Sequence, residues 1–318
     1  MKGQFGYNNQ TMGQDSIWEL YWQVRLQSIE DLGKCDAVLA ASQLIRDLDV
    51  QGQPARLLEL GCGAGQIIGA LMDAHAELRG MNASVGVDYS ASMLAKARRA
   101  CPNLHLVQGD YTDPAVLDGL GQFQLVLLVN SLHEVFSANY AKALGEIDVP
   151  AGRAAVARAL SVVASLLTPG GYLLVFDGLE PPGDPERPVT LRFLDPVARE
   201  EFHIFAAEYH PFRVHARWLA DGWQVEISQH NFARYIDKSM FIRKALWQTE
   251  RLESYQYFTE DDFRHEFSAL DLRIVELRTL TVSGDHWRSR VSIETPGIDF
   301  PPEHVLIIAT RPRPASLA

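Results

Sequence analysis

The most constraining stretch of this 318-residue chain is a short apolar strand, Arg56-Leu-Leu-Glu-Leu60, that runs straight into glycines, Gly61-Cys-Gly-Ala-Gly65. So short an apolar run, set between the turn-like Gly52-Gln-Pro54 and a glycine cluster, reads as a strand buried on both faces. Bare backbone after such a strand lets a ligand approach closely, and the exposed N–H groups of a following helix can receive a negative group. The loop has the form GxGxG. Gln66 stands where the dinucleotide fingerprint needs its third glycine, and Gly65 comes one residue early. The reading is a nucleotide-like ligand without the dinucleotide pattern.

Strands and helices then alternate. Val85-Gly-Val-Asp88 forms a second strand, Ser90 caps a helix that stops before Pro102, and His105 to Gln108 forms a third strand. Asp113-Pro114 opens a helix with a capping acid and a first-turn proline, and the apolar strand Phe123 to Asn130 follows. A helix ending near Leu167, the turn Thr168-Pro-Gly-Gly171 and the strand Tyr172 to Phe176 complete the series. This succession predicts an α/β fold, a doubly wound and mostly parallel sheet with ligands outside the carboxyl ends of its strands. Asp88 and Asp110 end the second and third strands, where carboxylates can accept ribose hydroxyls and an adenine amine.

The remaining chain divides around this core, residues 55–177. Residues 15–48 carry helical periodicity, so residues 1–54 read as an N-terminal helical lid, with Tyr7, Trp18, Tyr21 and Trp22 among its aromatics. From residue 178 to residue 258 the rhythm gives way to an aromatic-rich and arginine-rich insertion after the fifth strand, read as a substrate-binding cap. Within it, His203 and His210 are placed on one helix starting at Asp195-Pro196, Asp221-Gly222 suggests a hairpin, and Tyr235 to Tyr255 suggests one long helix. Thr259-Glu-Asp-Asp262 has the form of a capping box. The helix it starts and two strands, Leu272 to Leu280 and His304 to Thr310, close the core over residues 259–318.

Composition narrows the function classes. With 29 Lys and Arg against 40 Asp and Glu, the net charge of −11 has the wrong sign for holding polyphosphate by bulk electrostatics. Residues 178–258 hold 10 basic against 12 acidic residues, which carries the argument against nucleic acid to the insertion itself. The three cysteines, Cys35, Cys62 and Cys101, are too few and too scattered for a disulfide framework or a CxxC metal site, so no metal is expected. No apolar run approaches the roughly 18 residues of a membrane span, and the N-terminus has no apolar leader, so a cytoplasmic location without membrane contact is expected.

In Leu58-Glu-Leu-Gly-Cys-Gly-Ala-Gly65, Gly86-Val-Asp88-Tyr-Ser90-Ala-Ser-Met-Leu94, Gly109-Asp110 and Leu167-Thr-Pro-Gly-Gly171, the chain resembles the class I S-adenosylmethionine-dependent methyltransferases. The resemblance covers residues 55 to 177 by motif, and residues 259 to 310 by topology alone. It implies a Rossmann-like seven-stranded sheet with a reversed last strand, and S-adenosyl-L-methionine as cofactor. By matching position, Gly61, Gly63 and Gly65 would pass under the methionine portion, with Glu59 holding the loop and the ammonium end. Asp88 would bind the ribose, Tyr89 and Met93 would flank the adenine, and Asp110 and the Tyr111 backbone would meet its edge. Asn130 would offer its backbone carbonyl to the ammonium group.

Methyl transfer from an activated sulfonium needs alignment of a nucleophile and exclusion of water, with a base for some acceptors. Three residues just after the fourth and fifth strands are the candidates: His133 as first choice for a base, Glu134, and Asp177. Each also has a purely structural reading. His133 could pack a helix start, Glu134 could favour the positive helix end, and Asp177 could cap a turn. The expected function is methyl transfer to a small or medium-sized acceptor in an aromatic-lined pocket, in specialised metabolism. Two alternatives stay open: a methyltransferase acting on a peptide or protein, and a non-catalytic cofactor-binding protein.

Overall fold

The computed structural model describes residues 34–50, 52, 55–80, 83–281 and 287–313. The expected first N-terminal helix and the aromatic residues assigned to a lid lie outside the described residues. In chain order the elements begin with α1 (Lys34–Val50), β1 (Leu57–Leu60), α2 (Gln66–Ala74), β2 (Ser84–Asp88), α3 (Ala91–Ala100) and β3 (His105–Gln108). Next come α4 (Pro114–Leu117), β4 (Phe123–Val129), α5 (Leu132–Ser137), β5 (Tyr140–Ala141), β6 (Glu146–Ile147), α6 (Val149–Ser165) and β7 (Leu167–Gly178). Residues 188–250 form β8 (Pro188–Phe193), α7 (Pro196–Glu208), β9 (Arg217–Trp218), β10 (Gln224–Ser228), α8 (Gln229–Ser239) and α9 (Trp247–Glu250). The chain closes with α10 (Glu260–Ala269), β11 (Arg273–Leu280), β12 (Val291–Ile293) and β13 (His304–Thr310).

Seven strands make the main sheet, in the order β11-β13-β7-β4-β1-β2-β3. β13 runs antiparallel to both neighbours, and the pairs among β7, β4, β1, β2 and β3 are parallel. Successive residues of a strand face opposite sides of a sheet. Leu58, Leu60, Val126, Leu128, Leu173 and Val175 accordingly join one core cluster, while Leu57, Leu125, Leu127, Leu174 and Phe176 join a second on the other face. The helix starts follow the sequence chemistry. Ser90 accepts the Met93 amide, Asp113 accepts the Ala115 amide beside Pro114, and Thr259 and Asp262 form a reciprocal capping box.

A second, four-stranded sheet, β12-β8-β10-β9, is antiparallel and draws β12 from between β11 and β13, so it is not confined to residues 178–258. Asp221-Gly222 makes the β9–β10 hairpin, with Gly222 at φ 67° and Asp221 accepting the Trp223 and Gln224 amides. Three sequence expectations need correction here. His203 and His210 do not share a helix: His203 stacks on Trp218 at 4.4 Å, whereas His210 lies past the end of α7 and packs at a tilt against Tyr140 at 4.2 Å. The stretch from Tyr235 to Tyr255 is not one helix either. A continuous helix would separate positions 238 and 250 by about 18 Å, yet Lys238 Nζ and Glu250 Oε2 are 2.7 Å apart with both side chains fully buried. The chain folds back between α8 and α9, with Arg243 at φ 64°, to make that pair. The turn expected at Thr168 to Gly171 is instead absorbed into β7, as a register irregularity against β4 with Gly170 at φ 83°.

Candidate active site

The chain leaves β1 toward β2 on one side and pairs it with β4 on the other, so the carboxyl ends of these strands open on the crevice where doubly wound sheets place ligands. A cavity of about 900 Å³ lies there. Its floor is laid by backbone. Gly61, at φ 76°, leaves no room for a side chain, since a Cβ would come 2.8 Å from the Ser131 Cβ. The Gly61 and Cys62 amides donate to the Val87 carbonyl at 2.9 and 3.0 Å, tying the loop to β2. Asp88 completes the tie, with one carboxylate oxygen accepting the Gly63 amide and the other the Ser90 amide, each at 2.8 Å. Burial raises the proton affinity of Asp88, and those two amides oppose the rise.

Eight of the residues expected to hold a cofactor line this one cavity: Gly61, Gly63, Asp88, Tyr89, Met93, Asp110, Tyr111 and Asn130. Tyr89 is 59% exposed, whereas Met93 is buried. One oxygen of Asp110 is occupied by the Thr112 amide and hydroxyl, at 2.8 and 2.7 Å. The Tyr111 hydroxyl donates to the Ser131 carbonyl at 3.2 Å, bridging the ends of β3 and β4. Asn130 holds a positive φ of 51°, and both polar atoms of its side chain are buried without a partner. Strain and unsatisfied polar groups of this kind collect at functional sites.

Glu59 and Gly65 lie off the cavity wall. Glu59 accepts the Ile68 amide at 3.1 Å, which anchors the start of α2 to the end of β1. Its burial pushes the carboxyl up to about 8, against the lowering effects of that amide and of Lys34. Gly65 is the left-handed residue before α2, and its backbone packs close to Ala97 on α3.

The three residues expected to be catalytic separate into two kinds. Glu134 lines the cavity, while His133 and Asp177 lie behind its wall, 1% and 0% exposed. Asp177 accepts the Ser131, Leu132 and Gly178 amides at 2.9, 2.7 and 2.7 Å, and its Oδ1 lies 2.8 Å from His133 Nδ1. Burial pushes the Asp177 carboxyl up, but the His133 charge, the His133 hydrogen bond and the amides outweigh it and hold it low. For His133, burial pulls the imidazole down, and Asp177 with help from Glu253 carries it to about 9. The imidazole thus sits between two carboxylates, behind the cavity wall and not on it. Its Nε2 lies 3.6 Å from Glu253 Oε2, beyond hydrogen-bond distance.

Glu253 is the residue that motif reading missed. It lines the cavity beside Leu252, and the following residue is tied to α5 by the Ser254 amide donating to Ser137 Oγ at 3.0 Å. Nothing local in Glu250-Arg-Leu-Glu-Ser254 marks it, because its position follows from the fold-back after α8. Ser131 and Arg158 also reach the cavity unannounced. Burial and then the Glu253 charge push Glu134 up to about 8, and His133 opposes them. Cys62, although inside the motif, is buried with its thiol pushed far up, so it is no nucleophile. Among the described residues no helix is long and apolar enough to cross a membrane, and no three His, Cys, Asp or Glu side chains converge as a metal site.

Residues 57–148 match the family model described as a methyltransferase domain. Among solved structures, the chain is similar to an S-adenosylmethionine-dependent methyltransferase from Mesorhizobium loti, at 16% identity over 81% of this chain and 91% of that one, with a TM-score of 0.43. It is similar to an amino pentose methyltransferase from Micromonospora echinaspora, at 16% identity over 96% and 100%, TM-score 0.43. A third is magnesium protoporphyrin IX methyltransferase from Synechocystis, at 13% identity over 89% and 86%, TM-score 0.43. No curated protein matches the chain.

Proposed function

We propose that the chain is an S-adenosylmethionine-dependent methyltransferase that transfers the methyl group to a small or medium-sized acceptor held in the same cavity, in specialised metabolism; the methyltransferase-domain match of residues 57–148 and the seven-stranded, mostly parallel sheet support the reading. The observation that carries this reading is the continuity of the cavity. It runs from the glycine loop and the acids at the ends of β2 and β3 to the Glu134, Leu252 and Glu253 wall. About 900 Å³ is the size of a cavity for small ligands, with room for a nucleoside and a compact second molecule.

The residues present fit the cofactor. Gly61 leaves a cradle that any Cβ would fill, and Asn130 holds buried polar atoms with no protein partner. Gly61 and Gly63 would lie under the methionine portion, Asp88 would accept from the ribose, Tyr89 and Met93 would flank the adenine, and Asp110 and Tyr111 would meet its edge. Glu59 and Gly65 would act at one remove, by shaping the loop. The bound sulfonium supplies an activated methyl group, so the chain's own task is to align the acceptor and keep water out, which is worth about 7–11 kcal/mol in well-oriented reactions. Glu134 and Glu253 are the groups placed to hold or move a proton. His133, held by Asp177, orients Glu253.

The test is calorimetric titration of the full chain with S-adenosylmethionine, followed by incubation of a metabolite extract with methyl-labelled cofactor. Saturable binding with one cofactor per chain and a labelled small molecule is the expected result. Label arriving only on protein would favour the peptide acceptor, and binding without any transfer would favour the non-catalytic reading.

A further inference from the structure

We infer that the acceptor is a small amine, recognised as its ammonium form by the carboxylates of Glu134 and Glu253 on one wall of the cavity. The inference rests on the methyl-transfer reading above and names the acceptor class. The two carboxylates come from separate parts of the chain, α5 and the segment after α9, and the Ser254–Ser137 hydrogen bond fixes that segment against α5. Among the described residues neither carboxylate has a Lys or Arg ion-pair partner. The cation nearest to Glu253 is His133, itself shared with Asp177.

Two unpaired carboxylates facing one partly buried space repel each other, and a cation between them relieves the repulsion. The other charged groups on the cavity are Asp88, Asp110 and Arg158, so four acids meet one arginine. Tyr89 is also there, its proton held more tightly through burial and then through Glu134 and Asp88. Such a field favours an ammonium ion and disfavours carboxylate or phosphate acceptors.

A polar group on the cavity itself also points to a ligand. Asn130 lines it with both side-chain polar atoms buried and unpartnered, while His133 Nε2, behind the wall, lies 3.6 Å from Glu253 Oε2 without a hydrogen bond. Buried polar atoms are seldom left unpaired, so a guest that completes them is expected. The same wall serves the chemistry. An ammonium nitrogen has no lone pair, so it first gives a proton to the Glu134 carboxylate, whose proton affinity is raised by burial and then by the Glu253 charge beside it. The freed nitrogen then forms its bond to the methyl carbon as the carbon–sulfur bond breaks and the electron pair stays on sulfur. The new ammonium product carries the positive charge away from the sulfonium, and the proton held by Glu134 passes to solvent.

The experiment uses the full chain saturated with S-adenosylhomocysteine and ligand-observed NMR on matched sets of an amine, an alcohol and a carboxylic acid that share one carbon skeleton. Amines are expected to bind ahead of their matched alcohols and acids. Glu253→Gln and Glu134→Gln should each weaken amine binding about 10- to 100-fold, the range for a hydrogen bond to a charged group. Affinity for S-adenosylhomocysteine should stay within about twofold in both variants. Acids or alcohols binding as well as amines, or amine binding unmoved by either variant, would overturn the proposal. So would a parallel loss of S-adenosylhomocysteine affinity, since the carboxylates would then serve the cofactor. Wild-type protein that binds S-adenosylhomocysteine but no amine defeats this inference alone, whereas failure to bind S-adenosylhomocysteine defeats the function beneath it as well.

Discussion

The cavity has two halves of different material. Around the glycine loop it is drawn from short local runs near residues 61–63, 88–93 and 109–112. The opposite wall is made of side chains whose partners lie far apart in sequence, as Ser137 and Ser254 do at 117 positions. The first half is held by amides on carboxylates, such as Gly63 and Ser90 on Asp88. The second is held by buried charges. Lys238 and Glu250 pair at full burial, Tyr255 donates to the same Glu250 oxygen at 2.9 Å, and Lys238 Nζ lies 3.6 Å from the centre of the Tyr255 ring, which in turn packs on His133. A loop built from amides tolerates few changes of residue, whereas a wall built from side chains can be rebuilt to suit another acceptor.

The contrast breaks most visibly at the buried ion pair. Lys238→Met leaves the Glu250 charge without its counter-ion, a change that costs about 3–5 kcal/mol. Urea denaturation should show that loss, while S-adenosylhomocysteine affinity of the folded fraction stays near wild type. A loss below about 1 kcal/mol would mean that the pair does not hold the wall.

The link between the halves is sensitive to pH. The folded pKa of His133, about 9, lies above its ordinary 6.5, so its ion pair contributes stability that is fully present below about 6.5 and disappears as pH rises through about 9. Asp177, held low, stays ionised across that window. The stability advantage of wild type over His133→Gln should therefore shrink by about 3 kcal/mol between pH 6.5 and a pH above 9, in paired denaturation series. An advantage that does not change with pH would show that His133 is neutral in the fold.

On the other half, Gly61→Ala combines a positive φ with a Cβ pressed on Ser131, and should cost about 2–4 kcal/mol through strain and overpacking. Its effect on S-adenosylhomocysteine binding should exceed its effect on the binding of any acceptor. Equal effects would mean that the two halves are not separable.

The same division explains what could be read before the structure. The loop, Asp88 and Asp110 were legible because each follows the end of a short strand, so chain order already gives position in a doubly wound sheet. Caps at Ser90, Asp113 and Thr259 were legible because their chemistry is local. Glu253 was not, since its place depends on the reversal at Met240 to Leu246 that brings Glu250 back to Lys238, and helical periodicity runs on through that stretch. His133 and Asp177 follow their strands as expected, but their burial behind the cavity wall was not legible, because it depends on the three amides that close on Asp177 and on Glu253 coming up beside His133. The strand β12 was also hidden, because pairing with β8 across about 100 residues leaves no local trace.

The central claim is that the strand-end acids and glycine loop hold the cofactor, and Asp88 tests it most directly. Calorimetry of S-adenosylhomocysteine with wild type and with Asp88→Asn, checked for folding by denaturation, should show one site per chain and a loss of about 1.5–3 kcal/mol in the variant, or roughly 10- to 100-fold in affinity. Equal affinity in the two proteins, with both folded, would contradict the account.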